Sequence, residues 1–213
     1  MGLEQVRELT RRTTASILSA REERPFGSLD DLLRRARPRL GEAKNLVKAG
    51  ALDGLGASRK AQLAQLKGRR SSAPLQATLP FFQADGYGDA DTNDTLLERL
   101  SWEQEMLGWP VSDHPLRAFP DKLASLGVVR SDALVERAGA SATIAGARLA
   151  LWGERRGTFT LEDEAGLITV RLPAGQRPPR GVMGKLGPYW ARGRVHLDRT
   201  GEVLIQADKI EPL

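Results

Sequence analysis

Hydrophobic periodicity switches partway along this 213-residue chain, and the switch constrains the fold more than any other feature. Up to about Leu126 apolar residues recur at helical spacing, and from Ala142 onward they alternate with period two. Leu3, Val6 and Leu9 open the helical part. A second segment, about Arg12 to Glu22, turns Ile17 and Leu18 inward, and Pro25-Phe26-Gly27 breaks it. Ser28 starts the next helix with Asp31 three residues on, a capping-box pattern, and Pro38 stops it. A helix over about Gly41 to Ala49 ends at Gly50. Ala51 to Gly56 reads as a turn, and Ser58 to Lys67 as a further helix. After a Gly-, Ser- and Pro-rich stretch come helices over about Asp94 to Leu107 and Pro115 to Leu126.

The alternating part reads as five strands: Thr143 to Trp152, Gly157 to Glu162, Leu167 to Leu172, Tyr189 to Leu197 and Glu202 to Ala207. Asp198-Arg199-Thr200-Gly201 makes the last hairpin turn. A Pro- and Gly-rich excursion over 173–188 separates the third and fourth strands. This order fits an OB-fold barrel or a small sandwich, and strand counting alone does not separate them.

Charge is distributed unevenly. Residues 1–70 hold 16 Lys/Arg against 8 Asp/Glu, residues 71–135 hold 4 against 10, and residues 136–213 hold 12 against 9. Two basic bodies around an acidic connector suit a polyanionic partner, or a solvated basic surface. With no cysteine in the chain, disulfides, thiolate metal sites and cysteine nucleophiles are excluded. No apolar run reaches the roughly 18 residues of a membrane span, and the start shows no charged leader before an apolar block. A soluble, cytoplasmic (nucleoid-associated) protein with no membrane partner is expected.

Several catalytic patterns fail. Asp89 to Asp94 begins like a calcium loop, but Asp94 stands at the glycine position and Leu100 at the bidentate glutamate position. Asp89 and Asp91 lie in a linker with no strand to hold a metal-binding pair. His114 and His196 lack partners at ligand spacing. His114 before Pro115 reads as a residue that starts a helix. No catalytic residue, metal site or cofactor is expected.

Binding patterns remain. Gln76, Leu79, Phe81 and Phe82 make a Gln-x-x-Leu-x-Phe peptide whose apolar groups have no local core to join. In the strand part, Arg148, Trp152, Arg155, Arg156, Phe159, Arg171, Tyr189, Trp190, Arg192 and Arg194 offer guanidinium groups and aromatic faces of the kind used on single strands. About half of barrel positions point inward, so one or two of Trp152, Phe159 and Trp190 are expected to be core. In the helical part the candidates are Arg7, Arg11, Arg12, Lys44, Lys48, Arg59 and Lys60, near helix starts whose N–H groups suit phosphate.

With GLEQVRELTRRTTASILSAREERPFGSLDDLLRR, LVKAGALDGLG followed by Arg59, WEQEMLGWPVSDHPL, and GTFTLEDEAGLITV with ARGRV beyond it, nearly the whole chain resembles the C-terminal portion of bacterial C-family DNA polymerases. These are the polymerase III alpha subunit and its error-prone paralogue. The resemblance implies an α+β multidomain protein: a tandem helix-hairpin-helix domain over 1–68, a flexible linker with a sliding-clamp peptide over 69–94, a helical connector over 95–135 and a five-stranded OB domain over 136–213. It implies duplex and single-stranded DNA and a sliding clamp as partners and, for a split polymerase, a separate catalytic chain. The chain departs from that family at Glu8, where a hairpin glycine is usual, and over Pro173 to Pro188, where relatives carry a helix. The polymerase palm and its carboxylates lie outside this sequence, so a module without catalysis of its own is implied.

Overall fold

Periodicity and caps become two separate cores in the computed structural model, which describes residues 2–68, 93–149, 157–173, 175–176, 180–184, 187–198 and 201–213. The chain divides into two compact units, Met1–Val111 and Ser112–Leu213. In the first, a 3-10 turn (Leu3–Gln5) precedes α1 (Arg11–Glu23), α2 (Leu29–Ala36) and α3 (Leu40–Lys48). A second 3-10 turn (Asp53–Leu55), α4 (Arg59–Gly68) and α5 (Leu96–Leu107) follow. Thr10, Ser28 and Thr95 each accept a backbone N–H three residues on, supplying partners that a helix start lacks. Ile17, Leu29, Leu32, Leu46, Val47, Leu52 and Leu66 form the shared core.

The segment read as a linker and connector is divided differently from the sequence expectation. Asp94 accepts the N–H groups of Arg59 and Lys60 at 2.8 Å each, so it caps α4. Leu100 of α5 is fully buried, and Leu107 packs on the helical core. Gly68 and Asp94 therefore lie at opposite ends of α4 within the same unit, roughly 14 Å apart at the helical rise. The rest of the expected connector, from Ser112, belongs to the second unit.

The second unit starts with a 3-10 turn (Pro115–Ala118), capped by His114, whose Nδ1 accepts the Leu116 N–H. The single helix expected over Pro115 to Leu126 is broken at Pro120, where α6 (Pro120–Leu126) begins. Five strands then close a barrel in the order β1-β2-β3-β5-β4, which settles the OB topology against the sandwich. They are β1 (Ser141–Leu149), β2 (Thr158–Glu162), β3 (Leu167–Arg171), β4 (Tyr189–Leu197) and β5 (Val203–Pro212). Ile144, Phe159, Leu161, Ile168, Val170, Tyr189, Val195 and Ile205 fill the interior, and Leu134 joins them. Asp163 makes the tight β2–β3 turn by accepting N–H groups from Ser131, Ala165 and Gly166. β4 and β5 approach so closely that a Cβ on Gly193 would lie 2.0 Å from the Gln206 carbonyl oxygen.

Candidate nucleic-acid interface

Several turns of the helical unit carry left-handed residues, Arg37 between α2 and α3 and Gly56 before α4 among them. Gly50, at φ 76, follows α3, and Glu8, at φ 59, precedes α1. Thus the first hairpin keeps the backbone of a glycine hairpin while bearing an exposed carboxylate. The residue before Glu8 is anchored through both its backbone groups: the Arg7 N–H donates to Met106 O at 3.0 Å, and Asn45 Nδ2 donates to Arg7 O at 2.9 Å. Arg7, Arg11 and Arg12 are exposed beside this hairpin and Lys44 is half-buried. None of the four has an ion-pair partner among the described residues.

The other three helical candidates are engaged within the protein. Lys48 pairs with Glu105 at 2.7 Å and Lys60 with Glu98 at 2.8 Å. Arg59 corrects the sequence reading, being 2% exposed. Its guanidinium bridges Asp53 at 2.6 Å and the wholly buried Glu103 at 2.8 Å, and burial opposes its charge less than these two carboxylates favour it. The same guanidinium occupies the space a Cβ on Gly50 would take, at 2.3 Å. Glu103 also accepts the Val111 N–H at 2.7 Å. Within WEQEMLGWPVSDHPL, Glu103 is therefore a buried ion-pair partner that also ties down the Val111 backbone.

Two further carboxylates, Asp31 and Glu42, are internal hubs, a role the sequence reading assigned to neither. Burial opposes ionisation of Asp31, yet the Gly27 N–H and the guanidinium groups of Arg24, Arg35 and Arg34 hold it at about 2. Burial likewise opposes Glu42, and hydrogen bonds from Thr10, the Arg39 N–H and Thr13 bring it to about 2. The three arginines on Asp31 are thus committed within the fold. The only cue in the sequence was the spacing of Asp31 from Ser28; nothing local marked Glu42, whose partners Thr10 and Thr13 lie about thirty residues away.

On the barrel the ten candidates separate by register. Phe159 and Tyr189 point inward at 2% and 1% exposure. Trp190 points outward but is buried under Leu116, Leu213 and residues of α6, with Lys209 Nζ 5.1 Å from its ring centre. These three are packing groups, a correction to their reading as a stacking surface. Arg148 pairs with the inward Leu161, so it lies on the inner side, 5.7 Å from the Phe159 ring centre, instead of on an outer groove. Arg171, Arg192 and Arg194 are exposed on the outer face of β3 and β4. Trp152, Arg155, Arg156, Gln76, Leu79, Phe81 and Phe82 lie outside the described residues, as do Asp89 and Asp91. Among the described residues no acidic or histidine cluster suits a metal, and no helix is long and apolar enough to cross a membrane.

Comparison with known proteins accords with this architecture. The helix-hairpin-helix motif family matches residues 1–62. An error-prone DNA polymerase of Cutibacterium acnes is 31% identical over 100% of this chain and 19% of its own length. A DNA polymerase III subunit alpha of Halalkalibacterium halodurans is 28% identical over 98% of this chain and 20% of its own length. The chain thus spans about a fifth of the length of these relatives. A structure of U. maydis Replication protein A bound to ssDNA shares 18% identity over 40% of this chain and 70% of that one, with a TM-score of 0.30, too low to argue from. The chain is homologous to the C-terminal portion of bacterial error-prone DNA polymerases and DNA polymerase III alpha subunits.

Proposed function

We propose that this chain is a DNA-binding and clamp-tethering module of a C-family polymerase, without catalysis of its own, working at the nucleoid in replication or translesion synthesis. The observation that carries the reading is the pair of hairpins with a left-handed residue in each, one of them flanked by the uncommitted Arg7, Arg11, Arg12 and Lys44. Hairpins of this shape present backbone N–H groups to phosphate, and the neighbouring cations add long-range attraction. On the barrel, Arg171, Arg192 and Arg194 supply a second cationic surface. Gln76, Leu79, Phe81 and Phe82 would dock in an apolar pocket of the clamp, with Gln76 at its rim. Binding clamp and DNA through one chain would raise occupancy by effective concentration.

The test replaces Leu79 and Phe81 with Ala and measures binding to an isolated sliding clamp and to DNA separately. Clamp binding should be lost and DNA binding kept. Unchanged clamp binding rejects the tether. Glu8 favours a second reading, a chain that binds a polymerase partner with no DNA affinity, because its carboxylate stands where a hairpin meets phosphate. A DNA titration at low salt separates the two readings.

A further inference from the structure

Among the described strand residues of the barrel, the outward-facing Lys and Arg side chains lie on one face. The outer positions of β2 and the start of β3 are Thr158, Thr160, Glu162, Leu167 and Thr169, which carry no cation. Across β3, β5 and β4 the picture reverses. Arg171 lies beside Gln206, and Gln206 beside Arg194, in register and all on the side away from Val170, Ile205 and Val195. Arg192 follows one pleat along β4, beside Lys209. With strands about 4.8 Å apart, the stems of Arg171 and Arg194 stand roughly 10 Å from each other, and Arg192 roughly 7 Å from Arg194.

These cations are not consumed by the fold. Arg171 and Arg194 make no ion pair among the described residues, and Arg192 makes only a hydrogen bond through Nε to Thr143 Oγ1 at 3.1 Å. Lys209 pairs with Glu211 at 2.9 Å, and Asp208, the extra residue where the β4–β5 register shifts, is exposed beside them. Three guanidinium groups therefore outweigh the nearby carboxylates. Planar guanidinium groups match phosphate oxygens in a bidentate fork. Among the described residues no Phe, Tyr or Trp ring is exposed on this face, since Trp190 is covered; the imidazole of His196, one pleat beyond Arg194, is the exposed ring there, a smaller stacking surface than the three guanidinium groups are a charged one.

We propose that the outer face of β3, β5 and β4 is a phosphate track on which Arg171, Arg194 and Arg192 hold a nucleic-acid backbone crossing the strands, reading its charge and not its bases. The assignment rests on the DNA-binding reading above and adds the strand register that aligns these residues and the chemical group they recognise.

The test measures affinity of the whole chain for labelled oligothymidylate and for an abasic strand of equal length, each over a range of salt. In Arg171→Gln/Arg194→Gln the slope of log affinity against log salt should flatten by about 1.4, at about 0.7 for each single-strand phosphate no longer neutralised. The flattening should be equal on the abasic strand. Arg171→Lys/Arg194→Lys should restore most of the slope, and Lys122→Gln/Arg130→Gln, which removes as much charge elsewhere on the same unit, should leave it unchanged. Thermal melts of each variant establish that the barrel is folded. The proposal is overturned if the glutamine pair binds as the parent does, which leaves the face to an acidic protein surface. It is also overturned if the effect disappears on the abasic strand or if both glutamine pairs weaken binding equally. A parent chain that binds no strand at low salt removes the DNA-binding reading itself, a result distinct from failure of this face alone.

Discussion

At the scale of single residues, Glu8 tests the hairpin most sharply. A non-glycine residue at φ 59 carries strain of about 1 kcal/mol, and under the proposed function its carboxylate stands where the hairpin would meet phosphate. Glu8→Gly should stabilise the helical unit by about 1 kcal/mol and tighten DNA binding at low salt. Denaturation midpoints and a DNA titration check the two halves, and a destabilised variant would contradict the relief of strain. The departure at Glu8 was visible in the sequence, but its left-handed backbone was not. Arg59 shows the opposite limit. In sequence it looks like any other cation at a helix start; only Glu103, 44 residues away, makes it a buried structural group. Trp190 was similarly ambiguous, because a strand's outer face is exposed only where no other segment covers it.

At the scale of elements, starts and stops were the most legible features. Ser28 and Gly50 act locally, and local chemistry can be read from neighbours, whereas the cap at Thr95 went unread and its helix was expected from about Asp94. β5 was not legible beyond Ala207. The register shift opposite Arg192 and Gly193 inserts Asp208, so the alternation slips by one and Ile210 returns to the inner side after two polar residues. The helical elements also set a pH dependence. Glu42 is lowered from 4.5 to about 2, so the stability it contributes is present above about pH 4.5 and is lost as pH falls towards 2. Asp31 acts in the same direction, opposed by burial but lowered by its arginines, as does Glu98 through Lys60 and Thr95. Glu42→Gln should lower stability at neutral pH by about 2 kcal/mol and flatten the acid dependence of the helical unit. Urea titrations followed by circular dichroism between neutral and acidic pH measure both, and a variant as acid-sensitive as the parent would contradict the assignment.

At the scale of the whole molecule, the order of a helical unit before a barrel was legible because the two periodicities differ. The division between the units was not, because α5 is returned to the first unit by Leu100 and the Arg59–Glu103 pair, interactions that no local pattern announces. The described residues on either side of the Gln76 peptide, Gly68 and Asn93, both belong to the first unit. The account as a whole stands on phosphate recognition by both units. Titrating the intact chain with primed DNA from low to moderate salt tests this most directly. It should bind at low salt and lose affinity steeply as salt rises, with a log–log slope more negative than about −3, as expected for about four or more neutralised phosphates. No binding at low salt, or an affinity indifferent to salt, would contradict it.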